Sequence, residues 1–219
     1  MKPYLHCYSS PQYRDMAETM KRSAEPDFDV CILGRFGAPA CNGQGCAMLQ
    51  GYMEKMQGIL RAIKLQRRFH HEVMIWSDAD CYFIRPCAED VMAMMRGADA
   101  VFSMNGTGHF STGFFACRTT DKMLDFWTTI SKDPKYWKPR EWTGFEENAA
   151  WDRREEINFR ILHPDEYWSP CIPLKGNPDP KWQPTELPSA IRMIHLSCIE
   201  GHNKRAMMQR VIELARGMA

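Results

Sequence analysis

Short apolar runs alternate with helix-forming segments along the chain. Runs that end in Gly, Ser, Pro or Asp predict buried strands. The predicted strands cover residues 4–8, 29–33, 73–76, 100–102, 113–117, 158–162 and 192–195. Segments that favour helix cover residues 12–23, 52–65, 86–95, 121–130 and 204–216. The apolar residues of segment 52–65 recur at helical spacing, at Tyr52, Met56, Ile59, Leu60 and Ile63.

Strands that alternate with helices predict an α/β fold with a mixed, mostly parallel central sheet flanked by helices. Seven of the 14 prolines fall between Pro164 and Pro188. Proline has a fixed φ and no N–H group, so we predict that this stretch is irregular and forms a long ordered loop or a flap. The chain has no internal repeat, and we expect residues 1–219 to form one domain.

Composition and charge narrow the class of protein. The 219 residues are 44% hydrophobic and 25% charged, and 28 Lys and Arg balance 27 Asp and Glu to a net charge of +1. This balance, without a cationic stripe, argues against a nucleic-acid-binding protein. The chain shows neither a signal peptide nor a long apolar run, so we expect no membrane span and a cytoplasmic location.

The chain contains nine cysteines, and their number and spacing favour free thiols. Nine is an odd number, several cysteines lie within predicted strands, and no Cys-x-x-Cys pair occurs. We therefore expect reduced thiols that pack in the interior, in preference to disulfides or a structural zinc site.

Two aspartates follow the third predicted strand, in the run Ser77-Asp78-Ala79-Asp80. In an extended chain residues two apart point to the same side, and ligands of open α/β sheets bind beyond the carboxyl ends of strands. Two close carboxylates repel each other unless a cation or a proton lies between them. Because hard divalent cations take carboxylate and phosphate oxygens, the pair predicts a metal that bridges the protein to a diphosphate. The alternative is a turn or helix-capping role.

The run from Val73 to Pro86 resembles the Asp-x-Asp strand of GT-A fold glycosyltransferases, which has an apolar strand, Asp-Ala-Asp, an apolar pair and a nearby Pro. The helix before it resembles the family's helix that carries a lysine, matched here by Lys55. The segment 110–115 resembles the Phe-Asn-Ser/Ala-Gly segment, with Ser111 in place of Asn.

Two further segments extend the resemblance toward the C-terminus. Residues Glu147-Asn-Ala-Ala-Trp-Asp152 resemble the Asp-Gln-x-x-Leu-Asn motif. His195, Gly201 and Lys204 resemble the His followed by Gly-x-x-Lys of the lipopolysaccharide galactosyltransferase and glycogenin group, without the Pro-Trp after the lysine. The matches run in order from about Tyr4 to Lys204.

The resemblance implies one GT-A-type domain with two halves. Residues 1–104 would form a Rossmann-like nucleotide-binding half, and residues 105–219, with the Pro-rich loop 164–188, the sugar and acceptor half. The implied donor is a nucleotide diphospho-sugar, with UDP or GDP as nucleotide, and the implied acceptor is a hydroxyl group of a glycan, protein or lipid.

The resemblance also implies a Mn²⁺ or Mg²⁺ cofactor and a set of binding residues. The implied metal ligands are Asp78, Asp80 and His195, and an imidazole among oxygens favours Mn²⁺. The residues expected to contact the donor are Tyr8, Ser9, Ser10, Arg14, Lys55, Asp78, Ser111, Gly113 and Lys204. Apart from the resemblance, His195 could be a buried, hydrogen-bonded histidine and Lys204 a solvated lysine in a first helical turn.

Three carboxylates are the candidates for acid–base chemistry: Glu147, Glu146 and Asp152. An inverting reaction needs a base that deprotonates the acceptor hydroxyl. In a retaining reaction Glu147 would instead steady the oxocarbenium-like sugar. The residue types do not decide between these outcomes.

An aromatic stretch surrounds these carboxylates and consists of Tyr136, Trp137, Trp142, Phe145 and Trp151. Because sugar rings have apolar faces, these side chains predict either a wall for the acceptor or a small core under a long loop.

Two other functions remain open at this point. A non-catalytic nucleotide- or sugar-binding module would share the fold and the metal site. A nicotinamide-dependent oxidoreductase is less favoured, since the strand 29–33 precedes a glycine-containing loop in which Met48 stands where the third glycine belongs.

Overall fold

Nine strands and six α-helices lie within the described residues of the computed structural model, which are 2–34, 44–105, 108–133, 135, 145–169, 185–196 and 201–218. The strands are β1 (Tyr4–Tyr8), β2 (Asp29–Leu33), β3 (Val73–Asp78), β4 (Cys81–Phe83), β5 (Ala100–Met104), β6 (Phe110–Arg118), β7 (Phe159–Ile161), β8 (Tyr167–Trp168) and β9 (Met193–His195). The helices are α1 (Arg14–Ala24), α2 (Gln44–Arg68), α3 (Ala88–Met94), α4 (Asp121–Lys132), α5 (Phe145–Asp152) and α6 (Gly201–Arg216).

Six strands form the central sheet, in the order β2-β1-β3-β6-β5-β7. Strand β1 is parallel to both β2 and β3, and β7 is parallel to β5, while β6 runs antiparallel to its neighbours β3 and β5. The predicted mixed, mostly parallel α/β sheet is confirmed, and all seven predicted strands and five predicted helices are present. Helices α1 and α2 connect the three parallel strands.

Both faces of the central sheet are covered, because successive residues of a strand point to opposite faces. In β3, Ile75 packs into the core formed with α1 and α3, whereas Met74 and Trp76 pack into the core formed with α2, α4 and α5. This two-sided burial explains why residues 73–76 of β3 form an unbroken apolar run in the sequence.

A second sheet of three short strands, in the order β4-β9-β8, was not predicted as a sheet. Strand β8 lies within the Pro-rich stretch 164–188, so the prediction that this stretch is irregular throughout is wrong at Tyr167–Trp168. Neither residue of this strand is a proline, so both have a backbone N–H that can pair. Residues 170–184 lie outside the described part of the chain.

Helix α6 packs against the small sheet and α1. Met207, Met208 and Val211 of this helix share a cluster of buried side chains with Ile194 and Met16. This packing places Lys204, in the first turn of α6, beside the end of β3.

Five cysteines, Cys7, Cys31, Cys81, Cys87 and Cys117, are free thiols, and all but Cys31 are buried. They therefore pack as small apolar side chains. Within the described ranges, no helix combines the length and the apolar character that crossing a bilayer requires.

Candidate metal and donor site

The two aspartates lie where the chain turns from the central sheet to the small sheet. Asp78 is the last residue of β3, Ala79 and Asp80 form the turn, and β4 begins at Cys81. Trp76 Nε1 donates a hydrogen bond of 3.1 Å to Asp78 Oδ1, as expected for two residues on one side of a strand. The expectation that the chain stays extended through Asp80 is corrected, since a turn gives Asp80 its position.

His195 reaches the aspartates from the small sheet. It pairs with Cys81 in the antiparallel register of β4 and β9, and the Asp80 carbonyl oxygen accepts from the Leu196 N–H at 3.0 Å. His195 Nε2 lies 3.4 Å from Asp80 Oδ1 and 3.8 Å from Asp78 Oδ2.

These three side chains present one ligand atom each, and the three atoms lie within 4.8 Å of one another. Two ligands of one divalent cation at ordinary bond lengths are separated by at most about 5 Å. Two carboxylate oxygens and an imidazole nitrogen also form a donor set that suits Mn²⁺. Asp78, Asp80 and His195 therefore fit a divalent cation in both spacing and chemistry.

Two lysines neutralise the aspartates. Lys204 Nζ forms an ion pair with Asp80 Oδ2, and Lys55 Nζ lies 2.8 Å from Asp78 Oδ2. Burial by itself would lower the pKa of each lysine, but Asp80 raises the pKa of Lys204, and Asp78 with Glu146 raises that of Lys55. Both lysines are thus held as ammonium ions at neutral pH.

The two aspartates differ in their pKa. Burial would raise the pKa of Asp80, but Lys204 and His195 outweigh burial and hold the pKa well below its usual range. Burial dominates at Asp78 and raises its pKa, despite Lys55. Asp80 is therefore the more firmly ionised carboxylate of the pair.

The first turn of α5 brings two glutamates to the same place. Glu146 Oε1 lies 3.0 Å from Lys55 Nζ and accepts a hydrogen bond of 3.0 Å from the Thr112 hydroxyl. The Thr112 N–H donates to Glu147 Oε1 at 3.1 Å, and Asn105 Nδ2 donates to Glu147 Oε2 at 3.0 Å. Burial, followed by the charge of Glu146, raises the pKa of Glu147.

Asp152 is placed differently from the two glutamates. It is the last residue of α5, about 7.5 Å further along the helix axis than Glu147. Its carboxylate pairs with Lys135 at 2.8 Å and is 46% exposed.

Ser111 and Gly113, two of the residues expected to contact the donor, lie at the start of β6, next to His195. Ser111 Oγ is 3.3 Å from His195 Nδ1, and the Gly113 N–H donates to Ser111 Oγ at 3.2 Å. The structure thus brings both residues to the metal-ligand candidates.

The residues expected to hold the nucleoside follow β1. Tyr8 is the register partner of Asp78, so Tyr8, Ser9 and Ser10 begin at the same sheet edge as the aspartates. Ser9 and Ser10 are half-buried, whereas Arg14, the first residue of α1, is exposed. In open α/β sheets a ligand binds at this edge, where crossover connections diverge from the central strand.

Of the five residues in the aromatic stretch, Trp151 is the one whose side chain lies within the described part of the structure. Its ring stacks on His109 with a centroid distance of 4.8 Å, meets Phe110 edge-on, and carries the Arg154 guanidinium 4.6 Å from its centroid. Trp151 thus packs at the edge of the core formed with α2, α4 and α5. Tyr136, Trp137, Trp142 and the Phe145 side chain lie outside the described residues.

Sequence reasoning missed Trp76, Asn105 and Thr112. The available signal for Thr112 is a polar residue in a buried strand, where an unpaired hydroxyl is costly. The contacts of Asn105 and Thr112 join residues about 35 to 57 positions apart, which no local pattern shows.

Neither the family models nor the curated protein sequences compared with the chain match it. One similar solved structure is a glycosyltransferase involved in the glycosylation of the major capsid of PBCV-1, with a TM-score of 0.64 and 11% identity over 95% of this chain and 99% of that one. A second, A197 from STIV, has a TM-score of 0.46 and 12% identity over 74% of this chain and 82% of that one. The first similarity shows a shared fold: the chain has the mixed α/β fold of that glycosyltransferase.

Proposed function

We propose that this protein is a metal-dependent glycosyltransferase that moves a sugar from a nucleotide diphospho-sugar to a hydroxyl group of a glycan, protein or lipid. The observation that carries the proposal is the convergence of Asp78, Asp80 and His195 at the carboxyl edge of the parallel strands. The resemblance to GT-A fold glycosyltransferases implies a cation at this edge, and the fold is one that a glycosyltransferase uses.

Asp78, Asp80 and His195 would hold the cation, with Mn²⁺ favoured over Mg²⁺ by the imidazole. When bound, the cation stabilises the negative charge that develops on the diphosphate as its bond to the anomeric carbon breaks. The low pKa of Asp80 keeps this carboxylate ionised across the physiological pH range.

Lys204 would contact the leaving diphosphate. It is held as an ammonium ion by Asp80, and its side chain is only 17% exposed. Its helix, α6, packs against the small sheet. A phosphate oxygen bound beside Asp80 would therefore lie near an ammonium group that an ion pair already holds in position. Lys55 differs, because its partners Asp78, Thr112 and Glu146 surround it inside the protein. We assign Lys55 the role of holding Asp78 and α5 in place.

Glu147 is the best candidate for the acid–base group. Thr112 and Asn105 fix both of its oxygens, and its raised pKa makes it a stronger base than an ordinary glutamate. Glu146 is more buried and is committed to Lys55 and Thr112. In this proposal Asp152 does not take part in the chemistry, since it lies more than a turn away with Lys135.

The test is release of nucleoside diphosphate from a panel of UDP- and GDP-sugars with and without Mn²⁺. We expect Mn²⁺-dependent release that falls more than about 100-fold in Asp80→Asn, because loss of an outer-shell partner alone costs about 10- to 100-fold. The matched control is Asp99→Asn, which removes a carboxylate paired with Lys122 at 2.6 Å at the opposite end of the sheet.

Three outcomes separate the alternatives. Release that needs Mn²⁺ and Asp80 but not Asp99 supports the transferase. Equal release by Asp80→Asn and Asp99→Asn contradicts it. Tight nucleotide binding with Mn²⁺ but no release from any sugar of the panel indicates a binding module.

A further inference from the structure

The start of β6 forms a close contact with the ring of His195. The Ser111 hydroxyl lies 3.3 Å from His195 Nδ1, on the side of the ring opposite the nitrogen that faces the aspartates. Both residues are almost completely buried. Ser111 also accepts a hydrogen bond of 3.2 Å from the Gly113 N–H, so its oxygen is fixed by the backbone of the same strand.

Gly113 provides the space for this ring. A Cβ atom at position 113 would lie 1.9 Å from His195 Cε1, 2.3 Å from Nδ1 and 2.4 Å from Nε2. Three ring atoms therefore pack directly against the glycine backbone. Gly113 does not adopt the left-handed conformation that often requires glycine, so close approach of the imidazole is what this position demands.

The chemistry of an imidazole ligand explains why Ser111 matters. A histidine that binds a cation through Nε2 carries its proton on Nδ1, and the acceptor of that proton fixes the ring orientation. A serine hydroxyl has two lone pairs. One accepts from the Gly113 N–H, and the other is available to Nδ1–H. With Nδ1 held, Nε2 faces Asp80 Oδ1 and Asp78 Oδ2.

We propose that Ser111 and Gly113 are positioning residues that fix the orientation of the His195 ring for cation binding. This inference rests on the proposed function. They act through His195, in place of the contact with the donor sugar that the family resemblance implies for this segment. The serine supplies the hydrogen-bond acceptor, and the glycine supplies the room for the ring.

The test measures Mn²⁺ affinity of the folded protein by electron paramagnetic resonance of free Mn²⁺. We expect Ser111→Ala and Gly113→Ala to bind Mn²⁺ about 10- to 100-fold more weakly than the wild type, the usual cost of losing an outer-shell partner. The matched control is Ser103→Ala. Ser103 is a buried serine on the neighbouring strand β5 and the register partner of Ser111, but its hydroxyl donates to the Phe114 carbonyl oxygen at 2.8 Å. We expect its Mn²⁺ affinity to stay within about twofold of the wild type.

Two further measurements separate positioning from a general structural role. In a His195→Ala background, Ser111→Ala should weaken Mn²⁺ binding no further. In metal-free protein with ¹⁵N-labelled histidine, the Nδ1 resonance of His195, identified by its loss in His195→Ala, should shift in Ser111→Ala and stay unchanged in Ser103→Ala. This second measurement keeps the proposal testable if Gly113→Ala does not fold.

The outcomes test the positioning role separately from the proposed glycosyltransferase function. The positioning role is wrong if Ser111→Ala and Ser103→Ala have equal Mn²⁺ affinities. It is also wrong if Ser111→Ala lowers the Mn²⁺ affinity further in the His195→Ala background. Either result leaves the transferase proposal intact. A wild-type protein that binds no Mn²⁺ would overturn both proposals.

Discussion

The buried histidine of β1 makes the stability of this fold depend on pH. His6 is fully buried, and Gln66 Nε2 lies 2.7 Å from its Nε2. Because the Gln66 amide nitrogen can only donate, His6 Nε2 accepts, which requires the neutral ring. Burial lowers the pKa of His6 from 6.5 to about 4. Acidification is therefore the perturbation to which this residue responds.

The magnitude follows from the difference between the folded and unfolded pKa. Below about pH 6.5 the unfolded chain takes up a proton at His6, while the folded protein does not until about pH 4. The free energy of unfolding is thus at its full value above pH 6.5 and falls as the pH drops toward 4. Between pH 7.5 and pH 5.0, His6 should lower it by about 2 kcal/mol.

Urea denaturation at pH 7.5 and pH 5.0 measures this loss, and His6→Gln provides the comparison. Glutamine cannot titrate, so the variant retains only the pH dependence of the other groups. We expect the wild type to lose about 2 kcal/mol more than His6→Gln over this interval. Equal losses in the two proteins would refute the argument that a neutral, buried His6 controls the acid sensitivity.

Three further predictions concern the candidate site. Mn²⁺ together with UDP or GDP, at about 100 times their Kd, should raise the melting temperature by several degrees, and each alone should raise it less. The same rise from nucleotide without any cation would contradict a site that the cation and the nucleotide share. Lys55→Met should lower the free energy of unfolding, measured in urea, by about 3–5 kcal/mol, because it leaves Asp78 and Glu146 without their buried cation. The control Lys122→Met, at an exposed lysine, should lower it by less than about 1 kcal/mol. Similar losses in the two variants would show that the ion pairs of Lys55 stabilise the fold no more than an exposed pair does. Glu147→Gln should lower kcat about 10²- to 10⁴-fold with little change in donor KM, and a kcat within a few-fold of the wild type would exclude Glu147 as the acid–base group.

The central sheet was predictable because its signal is local. The run Val73-Met-Ile-Trp76 is apolar on both faces, and Asp78 and Asp80 follow it within four residues. These features lie close together in the sequence. The buried strand, the acidic residues at its carboxyl end and the hypothesis of a bound cation can therefore all be inferred from the sequence. The local pattern predicted only a strand ending at His195. Its candidacy as a metal ligand came from the family resemblance, because position alone is equally compatible with a buried, hydrogen-bonded histidine.

The small sheet and α5 were not predictable in the same way. Strands β4 and β8 have three and two residues, too few for an alternating pattern, and pairing with β9 more than 20 positions away stabilises them. Helix α5 has little amphipathic pattern, although Glu146 and Glu147 in its first turn are the acidic residues that favour a helix N-terminus. Tertiary contacts therefore decide this part of the fold.

The charge balance of the site gives a physical reason for a divalent cation in a nearly neutral chain. Four carboxylates and two ammonium groups meet around the end of β3, and they are Asp78, Asp80, Glu146, Glu147, Lys55 and Lys204. When all are ionised, two negative charges remain in excess, and this excess repels a diphosphate. The high pKa of Glu147 and Asp78 reflects the cost of keeping these charges buried. Under the proposed function, a divalent cation held by Asp78, Asp80 and His195 would cancel the excess, so an anionic donor and the cation should each strengthen the binding of the other.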